Sequence, residues 1–180
     1  MIAAASISMV RAGEKAHLYN ACREGSFVTI GWFHTPPRDM TRWEPDDVLS
    51  WMAVDYPIGK PHLHRDGTST PWTKAKTTRD ANQIKRFLFL MDEGSLATVA
   101  APGLETLLVG RVTQRYDYRE SSTLGSVKDP YLHFKPVEWL ASIERRDMSD
   151  ALVGYILGRR YTTVFGYDDA AVADELRSAL

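Results

Sequence analysis

His62 and His64 are the only histidines in the chain at a spacing that suits chelation. Alternate residues of a strand point the same way, so the two rings could share a metal with Asp66 as a third ligand. Two histidines on a surface loop are the simpler reading of the same residues. His64-Arg65-Asp66 also matches a fragment of a kinase catalytic loop, but no other kinase element accompanies it. Cys22, the single cysteine, falls in an expected helix without a local base and reads as a buried structural thiol. The carboxylate pairs Asp46/Asp47 and Asp168/Asp169 fall at expected helix starts, where negative charge meets the helix dipole favourably. Glu138, Glu144 and Arg145 lack the preceding acidic residue and the lysine that a nuclease core needs. No glycine-rich phosphate loop, nucleophile elbow or zinc-spaced Cys/His cluster occurs. The residues thus give little support for catalysis, and they imply no cofactor.

Aromatic and basic residues offer a different chemistry. Trp32 and Phe33 end an expected strand, and Trp72 lies in a long polar loop just before Lys74 and Lys76. Tyr116 and Tyr118 alternate, which puts both on one strand face with Asp117 opposite. Aromatic faces stack on nucleobases, each contributing roughly 1–3 kcal/mol. His34, Asp39, Ser95 and Asp117 are candidates for reading a base edge. Lys74, Lys76, Arg79 and Arg86 are candidates for phosphate contacts. They belong to a basic run from 60 to 89, in which seven cations face only Asp66 and Asp80. The competing reading packs Trp32, Tyr116 and Tyr118 into a β core and leaves the charges as a solvated face. Trp72 is the exception, because core packing is less expected in a polar loop.

The elements that must position these residues follow from periodicity. Strands are expected at 6–10, 26–33, 96–100, 106–118, 133–143 and 161–165, with Pro102-Gly103 turning the third into the fourth. Helices are expected at 15–23, 44–54, 78–91, 147–157 and 169–180. Thr77 or Thr78 is the expected cap of the third helix, and Asp147 or Ser149 that of the fourth. Residues 56–73, with Pro57, Gly59, Pro61, Gly67 and Pro71 among polar residues, read as one long irregular loop. About six strands joined by turns or single helices predict an α+β fold, a small mixed sheet or barrel with flanking helices.

The 180 residues fit one domain spanning the chain, with no repeat and no internal boundary. A net charge of −1 argues against a strong overall nucleic-acid footprint, so any positive face must be local. One cysteine fits a reducing compartment, and no apolar run approaches the roughly 20 residues that span a bilayer. The first 13 residues lack the basic start of a signal peptide. A cytoplasmic protein with no membrane partner is the expectation.

Taken in order, Thr29-Ile30-Gly31-Trp32, Asn82-Gln83-Ile84-Lys85-Arg86-Phe87, Leu90-Met91-Asp92-Glu93-Gly94, Val109-Gly110-Arg111-Val112-Thr113 with Tyr116-Asp117-Tyr118, and Pro136-Val137-Glu138-Trp139 form a series. This series resembles the EVE-like branch of the PUA-like superfamily, over roughly residues 5–165. It is similar to domains found with modification-dependent restriction endonucleases. The resemblance implies a pseudo-barrel with flanking helices that binds DNA or RNA, often with a modified base such as methylated cytosine or adenine flipped into a pocket. It implies that Trp32 lines that pocket, that Tyr116 and Tyr118 border the same cleft, and that Gly94 ends the helix leading into the barrel. DNA is the expected partner ahead of RNA, with a nuclease fused or on a separate subunit. Two departures stand out: Gly94-Ser95 where relatives commonly have Gly-Asp, and the insert at 57–73, which could act as a specificity loop or cover the pocket. A second reading is a metal-dependent nuclease or base-processing enzyme using His62, His64, Asp66 or Glu138. A third is a module whose aromatic cleft holds a peptide or small molecule.

Overall fold

The computed structural model describes residues 6–31, 35–63, 67–125, 130–159 and 162–180. Its elements run β1 (Ile7–Val10), α1 (Tyr19–Gly25), β2 (Phe27–Ile30), α2 (Pro45–Asp55), β3 (Pro61–Leu63), β4 (Ser69–Pro71) and α3 (Lys74–Lys85). They continue with β5 (Leu96–Ala100), β6 (Thr106–Val112), β7 (Asp117–Tyr118), β8 (His133–Glu144), α4 (Asp150–Gly158), β9 (Val164–Gly166) and α5 (Ala170–Ser178). The fold is α+β. Six strands form one curled, mixed half-barrel sheet in the order β2-β8-β6-β5-β1-β9, and β7 pairs with the start of β8. β1 runs parallel to β5, with Ile7 opposite Leu96, and every other ladder is antiparallel.

Strand alternation divides the core between the two faces of this sheet. Val10, Val28, Ile30, Val99 and Val112 pack with α1, α2 and α3 through Cys22, Val48, Met52, Ile84 and Phe87. Ile7, Met9, Leu107 and Val109 pack with α4 and α5 through Leu152, Ile156, Val172 and Leu176. The helices cover both faces because each sheet face carries its own apolar set.

The starts of α3, α4 and α5 carry side-chain caps. Thr73 accepts from the Lys76 amide, Ser149 from Leu152, and Asp169 from Ala171 and Val172. The Glu44 amide donates to Asp47 across 2.7 Å at the start of α2. α3 therefore begins one turn before the expected 78, because its first turn is polar and solvent-facing and leaves no apolar signal. Its far end widens into a π-turn over Arg86–Leu90, where the Met91 amide reaches back to the Arg86 carbonyl.

Two further expectations change. The strand expected over 106–118 ends at Val112, and the chain turns before β7 opens. The expected irregular loop 56–73 contains a two-stranded ribbon, β3–β4, with Pro61 opposite Pro71 and His62 opposite Thr70.

A bulge between Val109 and Gly110 bends β6 where it crosses β8. A Cβ on Gly110 would sit 2.4 Å from Val137 Cγ1 and 2.7 Å from the Glu138 carbonyl oxygen. The second of these is backbone, which cannot rotate away. Gly110→Ala is therefore expected to lose about 2 kcal/mol in urea unfolding. A loss under about 0.5 kcal/mol, the range of an ordinary surface change, would mean that the bulge relaxes freely.

Candidate functional site

The start of β8 is flanked on both sides. His133 lies opposite Ile30 of β2 and opposite Tyr118 of β7. Paired residues share a face, so Ile30, His133 and Tyr118 point one way, and Thr29, Phe134 and Asp117 the other. Each face carries a polar-aromatic arrangement.

On the first face a hydrogen-bond relay runs through His133, which is 1% exposed. The Pro36 carbonyl can only accept, so Nε2, 2.7 Å away, carries the proton and donates. Nδ1 is left to accept from the Tyr116 hydroxyl at 2.6 Å, and the Tyr116 oxygen accepts from the Met40 amide at 3.3 Å. Tyr116 stacks on the imidazole at 6.0 Å, Tyr118 tilts against it at 5.6 Å, and the Tyr118 hydroxyl donates to the Pro37 carbonyl. The relay is complete only with a neutral imidazole. Burial lowers the His133 pKa to about 4, against weaker upward pulls from the Pro36 carbonyl and Asp39. Burial raises that of the Tyr116 phenol. Asp39 stays exposed, and its carboxylate is held below the ordinary range chiefly by the Thr41 hydroxyl and amide. The result is a half-buried Tyr118 ring on a fixed backing.

Beside the relay, Lys135 is fully buried. Its ammonium donates to the Met91 carbonyl at 2.7 Å and to the Arg115 carbonyl, and it lies 5.5 Å from the centre of the Phe87 ring. Desolvation lowers its pKa to about 8. This cation ties the end of the π-turn to the turn after β6, which explains why the strand stops before Tyr116.

On the second face an open cleft of about 570 Å³ is lined by Ala21, Phe27, Phe134, the 118–123 segment and Leu124. Phe27 and Phe134 meet edge to face at 5.0 Å. The Arg119 guanidinium lies 4.2 Å over Phe134 and 2.7 Å from the Asp117 carboxylate.

The structure brings Tyr116 and Tyr118 together, as their alternation predicts. Asp117 faces Arg119 on the opposite side. Ser95 is buried elsewhere, with its hydroxyl 3.1 Å from that of Ser6 at the β1 edge. Trp72 corrects the expectation most clearly. It is 1% exposed and packed in the core, so no base can stack on it. Its indole N–H donates to Thr77 at 2.7 Å, and its ring meets Tyr56 at 4.9 Å. Polar neighbours hid this burial, because the side chains that meet Trp72 are those of Tyr56, His62, Lys76 and Thr77.

The expected phosphate-binding residues diverge. Lys76 and Arg79 both pair with the buried Asp80, at 3.1 and 2.9 Å. Arg86 packs against the Gly166 backbone, where its guanidinium leaves no room for a Cβ. Lys74 is exposed on the first turn of α3. Trp32, Phe33, His34, His64 and Asp66 lie outside the described residues. His62 packs edge-on to Trp72 at 5.6 Å, and Glu138 is exposed in a 3.7 Å ion pair with Arg111. Among the described residues no group of three His, Cys, Asp or Glu could hold a metal ion. Cys22 is buried as expected, and desolvation pushes its thiol up to about 12. The site residues missed in the sequence are His133, Lys135 and Arg119. The first two share the strand phase of the apolar Val137, which is the one signal that could have marked them as inward.

The class defined here is an α+β domain with a curled mixed sheet, two helical faces and an aromatic relay where β2, β7 and β8 meet. The chain belongs to the family described as a domain of unknown function, DUF8426, whose family model matches residues 6–158. β9 and α5 lie beyond the matched segment. No curated protein and no solved structure matches the chain. Among the described residues no helix is long and apolar enough to cross a membrane.

Proposed function

We propose that the curled sheet is a PUA-like pseudo-barrel of the EVE-like kind and that the domain is a non-catalytic reader of nucleic acid. On this reading a methylated or hydroxymethylated cytosine, or a methyladenine, is flipped from DNA onto the Tyr118 side of the relay. The domain would serve a modification-dependent restriction or defence system whose nuclease sits on another domain or subunit. The observation that carries the reading is the backing of Tyr118. His133, Tyr116 and the carbonyls of Pro36 and Pro37 fix a half-exposed aromatic ring. A ring held in this way stacks on a base with little further loss of side-chain freedom. On this reading Asp39, exposed on the same loop, would accept from an exocyclic amine.

The experiment is fluorescence anisotropy with labelled duplexes carrying no modification, 5-methylcytosine, 5-hydroxymethylcytosine or N6-methyladenine. One modified duplex is expected to bind more tightly than the unmodified one. Tyr118→Ala, checked for an unchanged fold by circular dichroism, is expected to weaken that binding about 5- to 100-fold, the loss of one stacked base. Binding that ignores both the modification and the substitution would overturn the reading.

A further inference from the structure

We infer that the open cleft on the second face is a stacking site for a nucleobase, the strand neighbour of the base carried by Tyr118, with Arg119 as its platform. The inference deepens the base-reading proposal and rests on it for the pairing of the two sites, but its stacking surface is separate from the Tyr118 ring.

The platform is fixed from several sides. Arg119 extends the β7–β8 ladder by one residue, its amide donating to the Leu132 carbonyl at 2.9 Å. Its guanidinium lies 4.2 Å from the centre of the Phe134 ring and 5.5 Å from that of Phe27, and both rings are buried. Its Nε donates to the Asp117 carboxylate at 2.7 Å. A guanidinium held by rings beneath and a carboxylate at its edge keeps its plane at little further cost in side-chain freedom. The Arg119 side chain is nevertheless 43% exposed, so part of that plane is open to the cleft.

The charges select a neutral ring over a phosphate. Arg119 is the one cation among the lining residues, and Asp117 already matches it, while Glu120 adds a negative charge at the exposed rim. An anion placed there gains no net attraction. A planar heteroaromatic ring does gain, because bases stack on guanidinium planes as they do on aromatic rings. The hydroxyls of Ser121 and Thr123, both on exposed lining residues, can each donate and accept, which suits the mixed edge of a base. The volume of about 570 Å³ falls in the range of small-ligand sites.

Position ties this cleft to Tyr118. Consecutive strand residues point to opposite faces, so the Tyr118 ring and the Arg119 guanidinium lie on either side of one strand. β7 pairs with β8 along one edge and with no described strand along the other. A sugar–phosphate chain passing round that free edge leaves one base on each side. Two bases that straddle β7 are unstacked from each other, so a single strand, with no pairing to give up, fills both sites at the lowest cost.

The test is fluorescence anisotropy on labelled single-stranded heptamers with the modified base at the centre. The base on either side of it is removed in turn, leaving an abasic sugar. The parent is compared with Arg119→Ala, Arg119→Lys and Tyr118→Ala, each checked for an unchanged fold by circular dichroism. Removing the base on one side, and not on the other, is expected to weaken binding by the parent about 5- to 100-fold. Arg119→Ala and Arg119→Lys are expected to weaken the intact heptamer by the same factor and to ignore that removal, because lysine keeps the charge but not the plane. Parent-like binding by Arg119→Lys would make the contact one of charge and overturn the stacking site. A parent indifferent to both removals overturns it too, and leaves the base-reading proposal standing where Tyr118→Ala still weakens binding. An inert Tyr118→Ala beside the expected Arg119 effects would overturn the base reading and keep the cleft. A parent that binds no heptamer overturns both.

Discussion

Lowering the pH from 6.5 to 5 is expected to remove about 2 kcal/mol of folding stability through His133 alone, at about 1.36 kcal/mol per pH unit. In the unfolded chain the imidazole takes up its proton near the ordinary 6.5, whereas in the fold it resists until about 4. Between those values the unfolded state binds more protons. The contribution is therefore whole above 6.5 and is lost as the pH falls toward 4. The structural reason is that the relay has no place for a second ring proton. Nδ1 would have to donate to a Tyr116 hydroxyl that now donates to it, and the 35–40 loop would lose its tie to β8. Urea titrations at pH 7 and pH 5 measure the effect. His133→Gln keeps an amide donor near Pro36 but does not titrate. It is expected to start less stable at pH 7 and to lose less on acidification. An equal loss in the variant would move the acid sensitivity to another group.

The second large effect is at Trp72. Trp72→Ala is expected to cost about 4 kcal/mol, because the side chain is fully surrounded and its removal leaves a cavity between α2 and α3. Three losses coincide there: the ring contacts with Tyr56 and His62, the Lys76 ammonium 4.5 Å over the ring, and the bond to the Thr77 hydroxyl. Trp72→Phe keeps an aromatic ring and gives up the indole N–H, for an expected cost of about 1–2 kcal/mol. Equilibrium unfolding ranks the two. Amide exchange at Gly59 and Trp72, where Gly59 donates to the Trp72 carbonyl and Trp72 to the Lys60 carbonyl, reports whether the base of the β3–β4 ribbon opens before the rest. A Trp72→Ala cost under about 1.5 kcal/mol would show that the neighbouring side chains refill the space.

These residues also show how far local pattern reaches. The strands at 7–10, 27–30 and 96–112 and the helices after Glu44, Ser149 and Asp169 were legible, because each carries its own period and its own cap. The faces of Tyr116, Tyr118 and Asp117 were legible too, since alternation survives even though Tyr116 lies outside a strand. The break after Val112 was not. It depends on the Lys135 ammonium taking the Arg115 carbonyl, a contact across 20 residues. Trp72 misled for the same reason: Pro71, Thr73 and Lys74 mark a surface, while the indole meets Tyr56, His62 and the Thr77 hydroxyl. His133 is a histidine with tyrosines and prolines as partners, and only the pairing of three strands brings those together.

The strand order has a consequence for how the chain is made. β1 lies between β5 and β9, so this strand has one neighbour about 90 residues later in the chain and the other about 155 residues later. β5 and β6 can zip as a local hairpin as soon as both have emerged from the ribosome, and β8 can add to them. β1 must wait. Until Val164 and Phe165 arrive, the apolar side chains of Ile7 and Met9 have only a partial shelter. Between the synthesis of β1 and that of β9 the nascent domain carries an unsealed edge, and it is in that interval, rather than in the finished fold, that it is most exposed to misassociation.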